Sequence, residues 1–288
     1  MPIKSQKLTI EIEQYMDQIK VLEVLKAFYR PIQPTVKPEN KEILYEEKYP
    51  ANGIDNFIYC FWQLKSRNTL KNPFVYRVVS DGCIDVFFNH ANPSENFVMG
   101  FCRKYSEFHL GEEFDYIGIR FLPAVFPILF GTSAKVLSNQ SQELNHILPD
   151  FSDWVQTTIK QDHSFQEIAG LLNHKLKGLI RERSSDLDLR FFNALHLILE
   201  KKGVLESEKN LDTGLSLRQL RRLFNYYLGT TPKAFCNVVR FQYILNSKPS
   251  NQSLREDKIY YDVGFHDQAH FIKNFKTFYG ITPSEAFR

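Results

Sequence analysis

The sequence predicts an α+β protein with a β-rich N-terminal half and an all-α C-terminal region. Two changes of texture and one repeat predict it. From about Lys41 to Pro123 the chain runs in short β-branched and aromatic segments separated by turn residues. After Pro123 apolar residues recur at spacings of three and four, the helical period. The helical region also contains a duplicated segment. "SLRQLRRLFNYYLGTTP", Ser216–Pro232, aligns without a gap on "DQAHFIKNFKTFYGITP", Asp267–Pro283, 51 residues later.

The strand segments are "FIYCFWQL", "VYRVV", "CIDVFFN", "NFVMGFC" and "YIGIRF", parted by "SDG", "NHANPSE" and "LGEE". Short strands at this spacing suggest a small barrel or sandwich. Ahead of them, residues 8–29 carry Ile12, Tyr15, Met16, Ile19, Leu22 and Val24 at helical spacing, and "RPIQPTVKPEN" then reads as a proline-rich linker. The helix it follows is an appendage, docked or dimerising. Beyond the strands, Phe151–Ile180 and "LDLRFFNALHLILEKKG" are helical, with the charged "RERSSD" between them as a boundary. The expected division is 1–40 helix and linker, 41–130 β-rich domain, 131–185 helical connector and candidate dimerisation region, and 186–288 all-α domain.

Bulk composition limits the function classes. A chain of 288 residues, 43% hydrophobic and 24% charged, is globular and long enough for two cores. The N-terminus lacks a signal peptide, and no stretch reaches the roughly 20 apolar residues of a membrane span. The four cysteines form no CxxC pair, so they are read as reduced and the protein as cytoplasmic, with no membrane partner. The net charge is +3, but from Asp186 onward fifteen Lys and Arg face eleven Asp and Glu. The excess positive charge is therefore C-terminal.

Each repeat reads as one helix. Leu220, Phe224, Tyr227 and Leu228 form a buried stripe in the first copy, and Phe271, Phe275, Phe278 and Tyr279 form it in the second. Ser216 and Asp267 are N-caps, since a short side-chain oxygen accepts from a free helix N–H. Gly229 and Gly280 supply left-handed C-caps, and each Thr-Pro starts another helix. The outward face of the first copy carries Arg218, Arg221 and Arg222; the second carries Gln268, Ala269, Ile272 and Lys273. Guanidinium and amide groups bind guanine and adenine edges with paired hydrogen bonds, and Ala or Ile meets a thymine methyl. A solvated basic face is the alternative for one copy; two copies in fixed register favour DNA. The segment from Pro232, about 14 residues or ~21 Å as a helix, with its flanking turns separates the two faces by about one DNA turn, ~34 Å.

"LSLRQLRRLF…LGTTPKAF…VVRFQ" followed by "VGFHDQAHFIKNFKTFYGITP" resembles the tandem helix-turn-helix domain of AraC/XylS-type transcription regulators. "YPANGIDNFIYCFWQL", "RVVSDGCIDVFFN" and "GIRFLPAVFPILFG" resemble, more weakly, the barrel-like sensor domain of some members. The fold then expected is a small β-barrel or cupin-like domain with flanking helices before an all-α domain with two helix-turn-helix units. The resemblance implies base-reading positions at Arg218, Arg221 and Arg222 and at Gln268, Ala269, Ile272 and Lys273. It implies double-stranded promoter DNA, RNA polymerase, an unknown small-molecule effector and a homodimer as partners, and no cofactor. The chain departs from the family pattern at Lys209 and Asn210, where a small pair is usual, and at Tyr260, where a small residue is usual.

Tyr59, Trp62, Tyr76, Phe87 and Phe88 are the strand residues that would line an effector cavity, with a fully packed core as the equal alternative. Two other functions stay open on the sequence. One is a cupin-like metal-dependent enzyme, for which His90, His109, Glu107, Glu112 and Glu113 are the candidates although no His-x-His pair occurs. The other is a helical protein–protein adaptor. There is no phosphate-binding glycine loop and no Gly-x-Ser-x-Gly elbow.

Overall fold

A computed structural model describes residues 20–182, 187–205, 211, 213–247, 252 and 260–287. The first residues of the expected 8–29 helix, most of "RERSSD", and Lys209 and Asn210 lie outside them.

A helix at 20–28 (α1) comes first. Strands follow at Ile43–Lys48 (β1), Ile58–Ser66 (β2), Val75–Val78 (β3), Ile84–Asn89 (β4), Asn96–Met99 (β5), Ser106–His109 (β6) and Asp115–Phe121 (β7). Helix Val125–Phe130 (α2), a 3₁₀ turn at Ala134–Leu137 and strand Ser141–Glu143 (β8) lead into the helices. These are Leu144–Ile147 (α3), Pro149–Thr158 (α4), Phe165–Glu182 (α5), Leu189–Glu200 (α6), Leu217–Leu228 (α7), Pro232–Asn246 (α8), Gln268–Tyr279 (α9) and Pro283–Ala286 (α10). None of them is long and apolar enough to cross a membrane, among the described residues.

The larger sheet is antiparallel, in the order β1-β2-β7-β4-β5-β8, and β3 pairs with β6 in a separate ribbon. The barrel is therefore open: β1 and β8 are edges. Strand alternation divides the side chains between two faces. Phe61, Val86, Phe88, Ile117, Ile119 and Phe121 point into a core that continues through the helices to the C-terminal region. Cys60, Trp62 and Leu64 point the other way and join Tyr76 of the ribbon in a second, smaller core. The ribbon thus covers the face that the helices leave open. The sheet also extends past residue 130, because β8 pairs with β5.

The N-terminal helix is docked, one of its two expected arrangements, and the stretch after it is held as well. Leu22, Leu25 and Tyr29 are buried in the main core. Gln33, in the proline-rich stretch, is 6% exposed. Its amide donates to the Val79 carbonyl at 2.9 Å and to Asp81 at 2.8 Å, and its oxygen accepts from Val79 N–H at 3.0 Å. The Ile32 N–H donates to Gln242 of α8 at 2.7 Å. Proline fixes φ and removes a donor, so such a stretch lies extended in a groove at low entropic cost; here it is a strap between sheet and helical region. The helical reading of Phe151–Ile180 also breaks once. Ser164 and Glu167 cap the start of a new helix by exchanging hydrogen bonds, which separates α5 from α4.

Candidate nucleic-acid interface

Helix α7 starts and stops where its sequence dictates. Ser216 Oγ accepts from the Gln219 N–H and Gln219 reaches back to the Ser216 N–H at 3.0 Å, a reciprocal cap. Gly229 ends the helix at φ 70°. In α9, the Asp267 carboxylate accepts from the His270 N–H at 2.7 Å, and Gly280 ends the helix at φ 98°. Thr231 caps α8, with Pro232 in its first turn, and Thr282 donates its N–H and its hydroxyl to the Glu285 carboxylate at the start of α10.

The inward stripes are buried as the spacing predicts. Leu220, Phe224, Tyr227 and Leu228 are at most 8% exposed, and Phe271, Phe275, Phe278 and Tyr279 at most 6%. Burial of each such side chain contributes about 1.5–3 kcal/mol. Phe191 of α6 stacks on Tyr227 with centroids 4.6 Å apart, and Phe241 of α8 meets both Phe275 and Phe278. Tyr260, the departure from the family pattern, is 3% exposed and stacks on Phe271 at 5.2 Å. The large ring is accommodated within the second unit's core.

On the opposite faces, Arg218, Arg221 and Arg222 of α7 are exposed, and so are Gln268, Ala269, Ile272 and Lys273 of α9. All seven candidate positions thus lie outside the core. Helix α8 joins the two units and is buried on several sides, from Phe235 to Leu245. Its 15 residues span roughly 22 Å.

The sheet domain holds a half-open cavity of about 220 Å³ between the larger sheet and the ribbon. Trp62, Tyr76 and Phe87, three of the expected residues, line it. Tyr59 and Phe88 do not, and strand alternation explains why. Phe88 follows Phe87, so its ring turns to the opposite face and is fully buried in the main core. Tyr59 sits half-buried in a separate depression beside Lys26 and Pro50. The further lining rings Phe97, Phe108 and Tyr116 were not singled out in the sequence.

A buried polar cluster reaches the cavity through Arg120 and Asp85, and sequence reasoning missed it. Arg120 of β7, 2% exposed, faces Asp85 across the β4–β7 ladder. Its guanidinium donates to both Asp85 oxygens, at 3.2 and 2.9 Å. Asp81 lies 3.2 Å and Glu47 3.5 Å from the same guanidinium, and Tyr45 Oη is 3.3 Å away. The Trp62 indole N–H donates to Asp85 at 2.9 Å. Burial raises the Asp85 pKa to about 6 against the opposing pull of Arg120. Burial also works against charge on Arg120, but Asp85 and its neighbours outweigh it and hold the guanidinium pKa well above its ordinary value. The sequence signal was available: one acid in "CIDVFFN" and one base in "YIGIRF", each isolated among apolar strand residues. Gly118 makes room for the indole. A Cβ there would lie 2.2–2.6 Å from Trp62 ring atoms.

The metal candidates are dispersed. His90 pairs with Asp115 at 3.1 Å, Glu107 with Arg77 at 2.7 Å, and Glu113 with Thr69, while His109 lies at the cavity. Among the described residues, no three His, Cys, Asp or Glu side chains are grouped to hold a metal ion.

Residues 212–288 match a family model described as a helix-turn-helix domain, and residues 46–143 match a domain of unknown function (DUF6597). No curated protein matches the chain. Among solved structures, ToxT from Vibrio cholerae O395 is similar at 11% identity over 86% of this chain and 98% of that one, with a TM-score of 0.42. ToxT bound to (E)-4-(8-methylnaphthalen-1-yl)but-3-enoic acid is similar at 10% identity over the same shares, with a TM-score of 0.43. The C-terminal region carries a helix-turn-helix domain, as the repeated segment implied.

Proposed function

We propose that this protein is a sequence-specific transcription regulator that places α7 and α9 in two successive major grooves of promoter DNA. The observation that carries the reading is the matched pair of faces. Each repeat buries one aromatic stripe and leaves exposed the residues suited to DNA, Arg218, Arg221 and Arg222 in one and Gln268, Ala269, Ile272 and Lys273 in the other. Phosphate neutralisation supplies affinity and base contacts supply sequence preference.

In the same reading, a small effector in the sheet-domain cavity controls DNA binding. Two copies of the chain and RNA polymerase act together at the promoter, in the cytoplasm. The apolar sides of α1 and α5 are used inside one chain, so a homodimer would form through their outer sides. The testing experiment is footprinting on genomic DNA with sedimentation of the same complex. Two protected major grooves about 10 bp apart and a species of twice the chain mass are expected. Protection confined to one groove would reduce the second repeat to packing, and a monomer on DNA would remove the dimer.

A further inference from the structure

The cavity between the larger sheet and the β3–β6 ribbon is specific enough in its chemistry to indicate what occupies it. We propose that its ligand is a small organic cation, an ammonium on an aromatic or aliphatic body, held by aromatic faces and by the Asp85 carboxylate. The inference rests on the effector reading above and adds the charge of the ligand.

Three observations carry it. The first is the wall. Trp62, Tyr76, Phe87, Phe97, Phe108 and Tyr116 surround one space, and aromatic faces attract cations through the ring quadrupole. The second is the balance of charge around Arg120, which lines the cavity beside Asp85. One guanidinium, Arg120, has three carboxylates within 3.5 Å, those of Asp85, Asp81 and Glu47. Negative charge is in surplus in a buried site, where opposite charges interact far more strongly than in water. The third is hydrogen-bond capacity. The guanidinium is already engaged by Asp85, Asp81, Tyr45 and Glu47. An anion at the remaining Nη2 N–H would sit beside the three carboxylates that crowd the guanidinium. Asp85 differs: its Oδ2 accepts from Trp62 and Arg120, and its Oδ1 from Arg120. A carboxylate offers about four lone-pair sites, so Asp85 keeps room for one more donor. Among the described residues, no other Lys or Arg lines the cavity. At about 220 Å³ the space is below the roughly 300–1,000 Å³ of drug-sized sites, which suits one ring and a short amine tail.

The test uses the full chain carrying Trp154→Phe, which leaves Trp62 as the single indole reporter. It is titrated at pH 7.5 with 2-phenylethylammonium, with the neutral 2-phenylethanol and with the anionic 3-phenylpropionate, following fluorescence and heat. The ammonium is expected to bind at least about tenfold more tightly than either isostere. Asp85→Asn should bring the three within about twofold of one another. Phe108→Leu keeps every carboxylate and should weaken the ammonium more than the alcohol, so the inference stays testable if Asp85→Asn fails to fold. Equal or tighter binding of the carboxylate overturns the proposal, as does the absence of binding by all three. Footprints of the same preparations separate the two readings. An intact two-groove footprint without a cation preference removes this inference alone, whereas a missing footprint removes the regulator reading.

Discussion

The two repeat helices, α7 and α9, share a buried stripe and differ in what they show to solvent and in what holds their ends. Helix α7 presents three arginines; α9 presents an amide, two apolar side chains and one lysine. The C-terminal end of α7 rests on the backbone after α2. Ser138 Oγ donates to the Gly229 carbonyl at 2.7 Å, and a Cβ on Gly229 would lie 2.6 Å from the Ala134 carbonyl oxygen. The end of α9 rests on the ribbon and its neighbouring loops. Tyr105 N–H donates to the Thr277 carbonyl at 3.2 Å, Ser80 N–H to that of Phe278 at 3.3 Å, and the Arg77 side chain flanks Gly280. A repeated sequence therefore guarantees a repeated local structure and nothing about its anchorage. The ribbon that grips α9 also supplies Tyr76 and Phe108 to the cavity, while α7 is gripped by the segment leading into β8.

The largest expected difference between the helices is electrostatic. Replacing Arg218, Arg221 and Arg222 together with Ala should reduce the slope of log affinity against log salt by about 2–3, and Lys273→Ala by about 1. Binding titrations from low to moderate salt measure both slopes. Equal changes would erase the asymmetry and make α9 as much a phosphate binder as α7.

The anchors differ next. Gly229→Ala puts an L residue at φ 70° against a fixed backbone oxygen. The left-handed conformation costs about 1–2 kcal/mol, and the contact raises the total to about 2–4 kcal/mol. Gly280→Ala meets Arg77 side-chain atoms at 2.7–3.1 Å. That side chain can swing away at the expense of its half-exposed pair with Glu107, so about 1–2 kcal/mol is expected. Denaturant unfolding of both variants ranks them, and a larger loss at Gly280 would place the firmer anchor on the ribbon.

What the sequence revealed follows the strength of each local signal. The caps, stripes and outward faces of α7 and α9 were legible because a helix repeats every 3.6 residues and its ends need particular residues. Strands β2, β3, β4, β5 and β7 were legible from β-branched and aromatic runs. Strands β1 "ILYEEK", β6 "SEFH" and β8 "SQE" were not, because ribbon or edge positions tolerate polar residues and leave little alternation. The strap through Ile32 and Gln33 reads as a loop in any local window. Its order comes from Val79, Asp81 and Gln242, between 46 and 210 positions away in the chain. The cavity was half legible: aromatic content suggested it, but facing alternation decided that Phe87 lines it and Phe88 does not.

A smaller effect should separate base reading from charge. Gln268→Ala removes an exposed amide at the start of α9 and no charge. If Gln268 pairs with an adenine, affinity falls by about 1–3 kcal/mol at one base pair and the salt slope stays constant. Selection from a randomised site, before and after the change, measures this. A loss spread evenly over all sequences would leave α9 without a reading role.

The smallest effect tests the N-caps, where the two helices solve one problem with different charge. Ser216 is neutral and Asp267 carries a carboxylate, both accepting from the first free N–H groups of a helix whose start faces the DNA in this reading. Asn caps about as well as Asp, so Asp267→Asn keeps the helix and removes one negative charge beside the phosphates. The lost attraction to the helix dipole is about 0.3–1 kcal/mol, which should lower the melting temperature slightly. DNA affinity at low salt should nonetheless rise a few-fold, equally for all sequences, and the gain should fade as salt screens it. Ser216→Ala changes no charge, so it should destabilise α7 by about 1 kcal/mol and leave the salt slope unchanged. Binding curves of both variants over a salt series decide the matter. If Asp267→Asn shifts base preference instead of overall affinity, then Asp267 itself touches a base beside the one that Gln268 would read.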